Sequence, residues 1–204
     1  MCGRFTSTAT PEELMRRFGV IITENLRPRW NVAPSQSATV IIRDGLRTAA
    51  ISAKWGLQHA GGNKTMLINA RMETANEKPT FSGAFLHSRC IVVASGWYEW
   101  SAPKTPWHIQ LRDGEVMAMA GLLFRGESQS RFVIVTSAAD GELAEIHHRQ
   151  PVILNQADVN RYLNLELQGS AFLIERKSPD LIFHEISKDV NKPTNNTASL
   201  IQKL

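Results

Sequence analysis

Cysteine is scarce in this chain: Cys2 and Cys90 are the two among 204 residues. Two are too few for a disulfide framework, and neither stands at a spacing that a metal would need. No apolar run approaches a membrane span. The opening MCGRFTSTATPEEL lacks the basic stretch and apolar core of a secretory leader. A cytoplasmic location is therefore expected, with Cys2 at the mature N-terminus. There is no low-complexity tract, no internal repeat and no linker-like composition, so one domain over residues 1–204 is expected. Charge is close to balanced. The net of +4 permits a polyanionic partner without requiring one.

The chain is 43% hydrophobic and 21% charged, a globular composition of a length that buries a real core. Thr10-Pro11-Glu12-Glu13 reads as a capped helix start, with Leu14, Met15 and Phe18 as its apolar face and Gly19 as its stop. Residues 27–34 (RPRWNVAP) read as an irregular loop. Strands are expected at 38–43 and 47–55, joined across Asp44-Gly45, a good hairpin turn. A short strand at 66–68 leads into Asn69-Ala70-Arg71. Short helix interrupted by Pro79 is expected over 73–85. Five β-rich runs follow at hairpin spacing: 89–95, 97–101, 106–112, 116–124 and 131–137. A helical turn is expected at 142–148, a helix capped by Asn155 running to Leu165, and a strand at 181–186. Together these predict an α+β fold, a mainly antiparallel, barrel-like sheet core with peripheral helices.

Cys2 follows Met1 directly, and Met1 before a small side chain is normally removed during synthesis. Cys2 would then carry an α-amine and a thiol on adjacent carbons. The amine condenses with an aldehyde to an imine, and the thiol closes onto the imine carbon as a thiazolidine. The pair also suits simple nucleophilic catalysis, with the amine as base. An α-amine titrates near pH ~8 and a thiol near ~8.5, so both are poised for reaction close to neutrality. The bland alternative is an incidental second residue on a disordered terminus. Cys90, inside RCIVVAS, reads as a core residue.

Other positions carry chemistry, each with a structural alternative. In Trp97-Tyr98-Glu99-Trp100, strand alternation puts Trp97 and Glu99 on one face. A carboxylate among aromatics is partly desolvated and suited to proton transfer; otherwise it is an edge residue facing water. His147 and His148 titrate in the useful range, or are structural histidines. As neighbours on a helix they would diverge by about 100° and so not share a metal. Alternation puts Asn69 and Arg71 on one side of a strand end, able to orient a nucleophile and hold an anion, unless Arg71 pairs with Glu73. Arg4, Arg27, Arg29, Trp30 and Trp55 mix cations with aromatics, as single-stranded nucleic acid sites do. Trp55, ending an apolar strand, also reads as a core anchor.

MCGRF, RWNVAP, KWGL, INARMET, RCIVVASGWYEW, EIHHRQPVIL and a late DVNKP, in that order, resemble the SRAP (SOS-response-associated peptidase) family across nearly the whole chain. The resemblance implies binding of single-stranded DNA and a covalent link between Cys2 and the aldehyde of an abasic site. It implies a catalytic set of Cys2, Asn69, Glu99 and His147, with His148 the variable neighbour. It also implies DNA contacts by Arg4 and Arg71, with Asn31 and Pro34 in a loop lining the site. With Trp55 and Trp97, these make the expected DNA-binding set. No cofactor, metal or membrane is expected; the partner is abasic single-stranded DNA, the protein a monomer, nucleoid-associated. The chain departs from the family pattern in three places: QHAGGNK (58–64) replaces a loop that usually carries Pro and Trp, Val93 replaces a proline, and Gln150 follows Arg149. Two other readings stay open at this level. One is an N-terminal-nucleophile hydrolase, amidotransferase-like or a cysteine (auto)peptidase. The other is a non-covalent single-stranded DNA binding module.

Overall fold

The computed structural model describes residues 2–22, 26–58, 65–166 and 179–204. Met1 and residues 59–64 of the QHAGGNK loop lie outside the described residues. The strands are β1 (Phe5–Ser7), β2 (Arg29–Val32), β3 (Ser37–Asp44), β4 (Arg47–Trp55), β5 (Leu57–Gln58), β6 (Met66–Leu67), β7 (Asn69–Arg71), β8 (Arg89–Ala94), β9 (Gly96–Ser101), β10 (Thr105–Leu111), β11 (Met117–Phe124), β12 (Arg131–Ala138), β13 (Arg149–Pro151), β14 (Ile153–Leu154) and β15 (Leu181–Glu185). The helices are α1 (Pro11–Phe18), α2 (Met72–Ala75), α3 (Pro79–His87), α4 (Leu143–Ile146) and α5 (Gln156–Leu163), with 3₁₀ turns at Lys188–Asn191 and Ala198–Ile201.

The expected α+β architecture is what forms. In the larger sheet, β12, β4, β3, β8 and β11 are successive neighbours, and β11 pairs back onto β12, closing a ring. Closure leaves few free sheet edges inside the core. All these pairings are antiparallel except β12 with β4, and β7 also joins β12 in parallel. The second sheet runs β15-β10-β9-β1-β2.

Local chemistry accounts for the elements. The β3–β4 hairpin turns at Gly45, whose φ of 57° a side chain would resist. Thr10 and Glu13 form the expected capping box on α1, and Asn155 caps α5 through the Asp158 N–H. Pro79 does not interrupt a helix: it opens α3, where its missing N–H costs nothing. The stretch expected as an irregular loop contains β2, an edge strand paired to β1 through Phe5–Val32 and Ser7–Arg29. A four-residue edge strand takes its conformation from its partner, so local sequence carries little sign of it.

Alternation splits the core by face. Val40, Ile42, Val92, Met119 and Ile134 pack with Phe5, Val32, Trp97 and Ile109 of the second sheet. Ile41, Ile91, Ala120 and Val133 point the other way, under Leu14, Phe85, Val159 and Tyr162 of the helices. Cys90 is buried in the first of these layers, as a core residue. The outer face of the second sheet is covered by the C-terminal segment, where Tyr98 packs with Ile186, Val190 and Leu200.

His108 of β10 belongs to that covered face, between Tyr98 and His184 in register. It is 1% exposed, and neither ring nitrogen has a hydrogen-bond partner. Its Nε2 lies so close to Gly96 that a Cβ there would collide. Burial, with His184 adding repulsion, pushes its pKa down to about 3 from 6.5. The unfolded chain therefore takes up a proton that the native protein refuses. Stability is fully present above pH 6.5 and falls as pH drops from there toward 3. Linkage gives a loss of about 2 kcal/mol between pH 7 and pH 5 from this residue. Urea titrations at both pH values should show the wild type losing about 2 kcal/mol relative to His108→Phe, in which the other titrating groups, Glu99 among them, are unchanged; equal changes in the two proteins exclude the assignment.

Candidate active site around Cys2

Backbone pairing brings Cys2 to its neighbours. The Tyr98 N–H donates to the Arg4 carbonyl at 3.0 Å, Phe5 pairs with Trp97, and Thr6 with Gly96. The N-terminal segment thus runs antiparallel to β9, and the residues just before Arg4 lie beside those just after Tyr98. Glu99 is the next residue along. Alternation on β9 is as expected: Trp97 enters the layer that holds Cys2, whereas Tyr98 and Trp100 join the C-terminal cluster.

Cys2 is fully buried. Asn69 closes one side of it, its Nδ2 donating to the Cys2 carbonyl at 2.9 Å. The Asn69 position is set by Trp55, whose Nε1–H holds the Ile68 carbonyl at 2.9 Å, and by the parallel pairing of β7 with β12. Glu99, 2% exposed, lies near enough for its charge to act on the Cys2 thiol. Burial raises its pKa to about 7, so near neutrality it is equally able to give or take a proton. The Cys2 thiol is pushed up as well, chiefly by burial and next by the Glu99 charge; the Arg4 backbone N–H pulls weakly the other way. The sulfur is therefore a thiol at neutral pH, not a thiolate.

His147 completes the cluster, with Nδ1 3.9 Å from Glu99 Oε2. The expected helical turn is shorter than anticipated. α4 ends at Ile146, and His147 is extended, at φ −155° and ψ 140°. The two histidine rings lie 4.4 Å apart and 30° from parallel, not splayed as on a helix. Nδ1 of His147 has both the N–H and the carbonyl of Arg149 at 3.0 Å. A neutral ring accepts from the first and a protonated ring donates to the second. Both charge states are satisfied without movement, which suits a group that exchanges protons. Burial lowers its pKa, so the neutral form dominates at pH 7.

Arg149 anchors this loop, and its role was not anticipated. Its guanidinium makes a bidentate pair with Glu73 at 2.6 and 2.9 Å and donates to the Thr136 carbonyl at 2.6 Å. Glu73 is thereby taken, so the anticipated alternative of an Arg71–Glu73 pair does not arise. Arg71 is left exposed at the end of β7, on the strand that carries Asn69. The available sequence signal was the spacing His147-x-Arg149, which puts both on one side of an extended segment.

Three of the expected DNA contacts take other parts. Trp55 and Trp97 are fully buried. Trp55 lies edge-on to Phe5 at 5.1 Å and stacked on Phe132 at 6.3 Å, so no ring face is left for a base. Asn31 is 2% exposed and saturated: Nδ2 donates to the carbonyls of Val190, Lys192 and Asn195, and Oδ1 accepts from Arg4. It ties the C-terminal segment to β2. Arg4 is partly drawn into the same tie, with Nη1 at 2.8 Å from both Asn31 Oδ1 and the Val190 carbonyl. Pro34 is partly exposed, in a turn whose Ser35 has φ 71°. That turn is joined to Trp55 by two backbone bonds, Ser35 N–H to Trp55 O and Trp55 N–H to Gln36 O.

No group of three or more metal-ligating side chains occurs among the described residues, and none of their helices is long and apolar enough to cross a membrane.

The profile of the family described as SOS response associated peptidase (SRAP) matches residues 1–193. The abasic site processing protein YoqW of Bacillus subtilis is 33% identical over 222 residues, covering 99% of this chain and 99% of its own. The abasic site processing protein YedK of Escherichia coli is 31% identical over 220 residues, with 99% of each covered. A crystal structure of a Bacteroides thetaiotaomicron protein superposes with a TM-score of 0.82 at 22% identity, covering all of both chains, which is a likeness of fold.

Replacing Asn31 by Ala removes the Nδ2 bonds to three carbonyls of the C-terminal segment and the Oδ1 contact with Arg4, although the Val190 carbonyl keeps Arg4 and the Lys192 carbonyl keeps the Asn195 N–H. It should cost about 2–3 kcal/mol, read by chemical denaturation, and open residues 188–195 to limited proteolysis. A shift under about 0.5 kcal/mol with an unchanged digest contradicts the tie.

Proposed function

Because the chain belongs to the SOS response associated peptidase (SRAP) family, whose relatives YoqW and YedK are named abasic site processing proteins, we propose that it acts on abasic sites in DNA. We further propose that it does so by linking the Cys2 nitrogen and sulfur to the sugar of a single-stranded lesion. One observation carries this reading. Cys2 is enclosed between an amide that holds its carbonyl and a buried carboxylate with a pKa of about 7.

The chemistry follows from that enclosure. Removal of Met1 exposes the Cys2 α-amine. Ionised Glu99 accepts a proton from the ammonium, and the free amine adds to C1′ of the open-chain aldehyde, giving a carbinolamine. Loss of water gives the imine. His147, neutral at pH 7, relays protons between this centre and solvent; this replaces a standing imidazolium acid, which burial disfavours. The thiol then adds to the imine carbon. Its proton passes to nitrogen, directly or through Glu99, and the thiazolidine ring closes. A protonated thiol cannot compete with the amine for the first attack, so burial sets the order of the two bonds. An imine acidifies C2′ and invites strand cleavage by β-elimination. Prompt capture by sulfur suppresses it, with slow lyase turnover as the by-product. Asn69 keeps the amine and thiol in register, and exposed Arg71 attracts phosphate, which makes affinity fall with salt.

Mass spectrometry after mixing with an abasic single-stranded oligonucleotide should show protein lacking Met1 and joined to DNA, and Cys2→Ala should show none. Retention of Met1, or DNA released whole in denaturant, refutes the covalent reading. The single-turnover linkage rate should climb as pH rises through about 7, where Glu99 ionises. Glu99→Gln should flatten that climb and slow linkage on the order of a hundredfold, with lesion-free DNA bound as before. His147→Ala should slow linkage more than His148→Ala does.

A further inference from the structure

A cavity of about 320 Å³ opens between the end of β1, α1, the start of β2 and the β3–β4 hairpin. Its polar lining is Ser7, Arg27, Arg29, Ser37, Thr39 and Ser52, and no carboxylate of the described residues lines it. Arg29 is half-buried, and burial alone accounts for its lowered pKa, so no described acid offsets its charge. Its Nη1 donates to the Ser37 carbonyl and its Nη2 to Gln36 Oε1, which aims the guanidinium. Arg27 and the hydroxyls of Ser7, Thr39 and Ser52 engage no partner among the described residues. Arg27, the remaining N–H groups of Arg29 and several idle hydroxyls around one space are donors in excess of the acceptors there. A tetrahedral oxyanion satisfies both the charge and the donors.

We propose that this cavity holds a phosphate group, contributed by the backbone of the same strand that reaches Cys2. The inference rests on the nucleic acid reading of the Cys2 site. β1 links the two places. Five residue steps separate Cys2 from Ser7, so their backbones are at most roughly 17 Å apart, a few nucleotides of extended single strand. Arg27 and Arg29 thus form an electrostatic anchor beyond the reacting nucleotide, in the manner of grooves that track a single-stranded backbone.

The test is an NMR titration of ¹⁵N-labelled protein with inorganic phosphate, against chloride at matched ionic strength. Saturable shifts at the amides of Ser7, Thr39 and Ser52, weakened at least fivefold in Arg27→Ala and in Ser52→Glu, are expected. Shifts that chloride reproduces, or that survive both substitutions, overturn the proposal. Lesion-free oligonucleotide should displace phosphate. Displacement by a 5′-mononucleotide equally well, at equal concentration, assigns the cavity to free nucleotides and overturns the shared strand. With abasic oligonucleotide, Ser52→Glu should raise Kd at least fivefold and leave the saturated linkage rate unchanged. Linkage in a protein whose amides ignore phosphate overturns the cavity and spares the Cys2 reading. Saturable phosphate shifts in a protein that never links overturn the Cys2 reading, and with it the strand as the source of the phosphate.

Discussion

The pairing of the N-terminal segment with β9 is the constraint on which the site depends. A chain terminus usually frays because few contacts hold it. Here the Tyr98-to-Arg4 bond and the Phe5–Trp97 and Thr6–Gly96 pairs fix it, and Phe5 is buried against Trp55. Once that register is set, Cys2 has no choice of neighbours. Slipping by one residue would turn Phe5 out of the core and swing Cys2 away from Glu99, so hydrophobic burial holds Cys2 in register.

The same burial tunes the chemistry. Removing Glu99 from water raises its pKa to about 7, and removing the Cys2 sulfur from water keeps it protonated. Both shifts come from one dry space, and in the proposed linkage both favour amine before thiol. The cluster is stiffened from behind by residues that touch no reacting atom: Trp55 through the Ile68 carbonyl, Arg149 through Glu73 and Thr136, and Asn31 through the C-terminal segment. Arg149 and Asn31 each make several hydrogen bonds, so each has several partners to lose if it is truncated.

Burial separates residues that look alike in sequence. Trp55, Trp97 and Asn31 sit in the family-like blocks and are of types that contact nucleic acid, yet all three are buried supports. An aromatic or an amide has the same sequence appearance whether it faces a base or a core. Arg149 and Glu73 are 76 residues apart, and no local pattern announces their pairing. β2 was missed because four residues at a sheet edge carry too little periodicity to be separated from a loop.

The sequence by itself determined what is local. Hairpin turn chemistry, capping residues and two-residue alternation were enough for the main strands of the ring, for α1 and α5, and for the face of β9 that bears Glu99. Ordered motifs were enough for the family and for the candidate set of Cys2, Asn69, Glu99 and His147. Only the tertiary structure decided which side chains are dry. It decided that Glu99 and Cys2 share one buried space, that the His147 ring satisfies both its charge states, that Asn31 holds the C-terminal segment, and that Arg27 and Arg29 border a cavity with no described acid. Burial and pairing depend on strands distant in the chain, and desolvation, which sets the acid constants, is a property of enclosure that no single segment possesses.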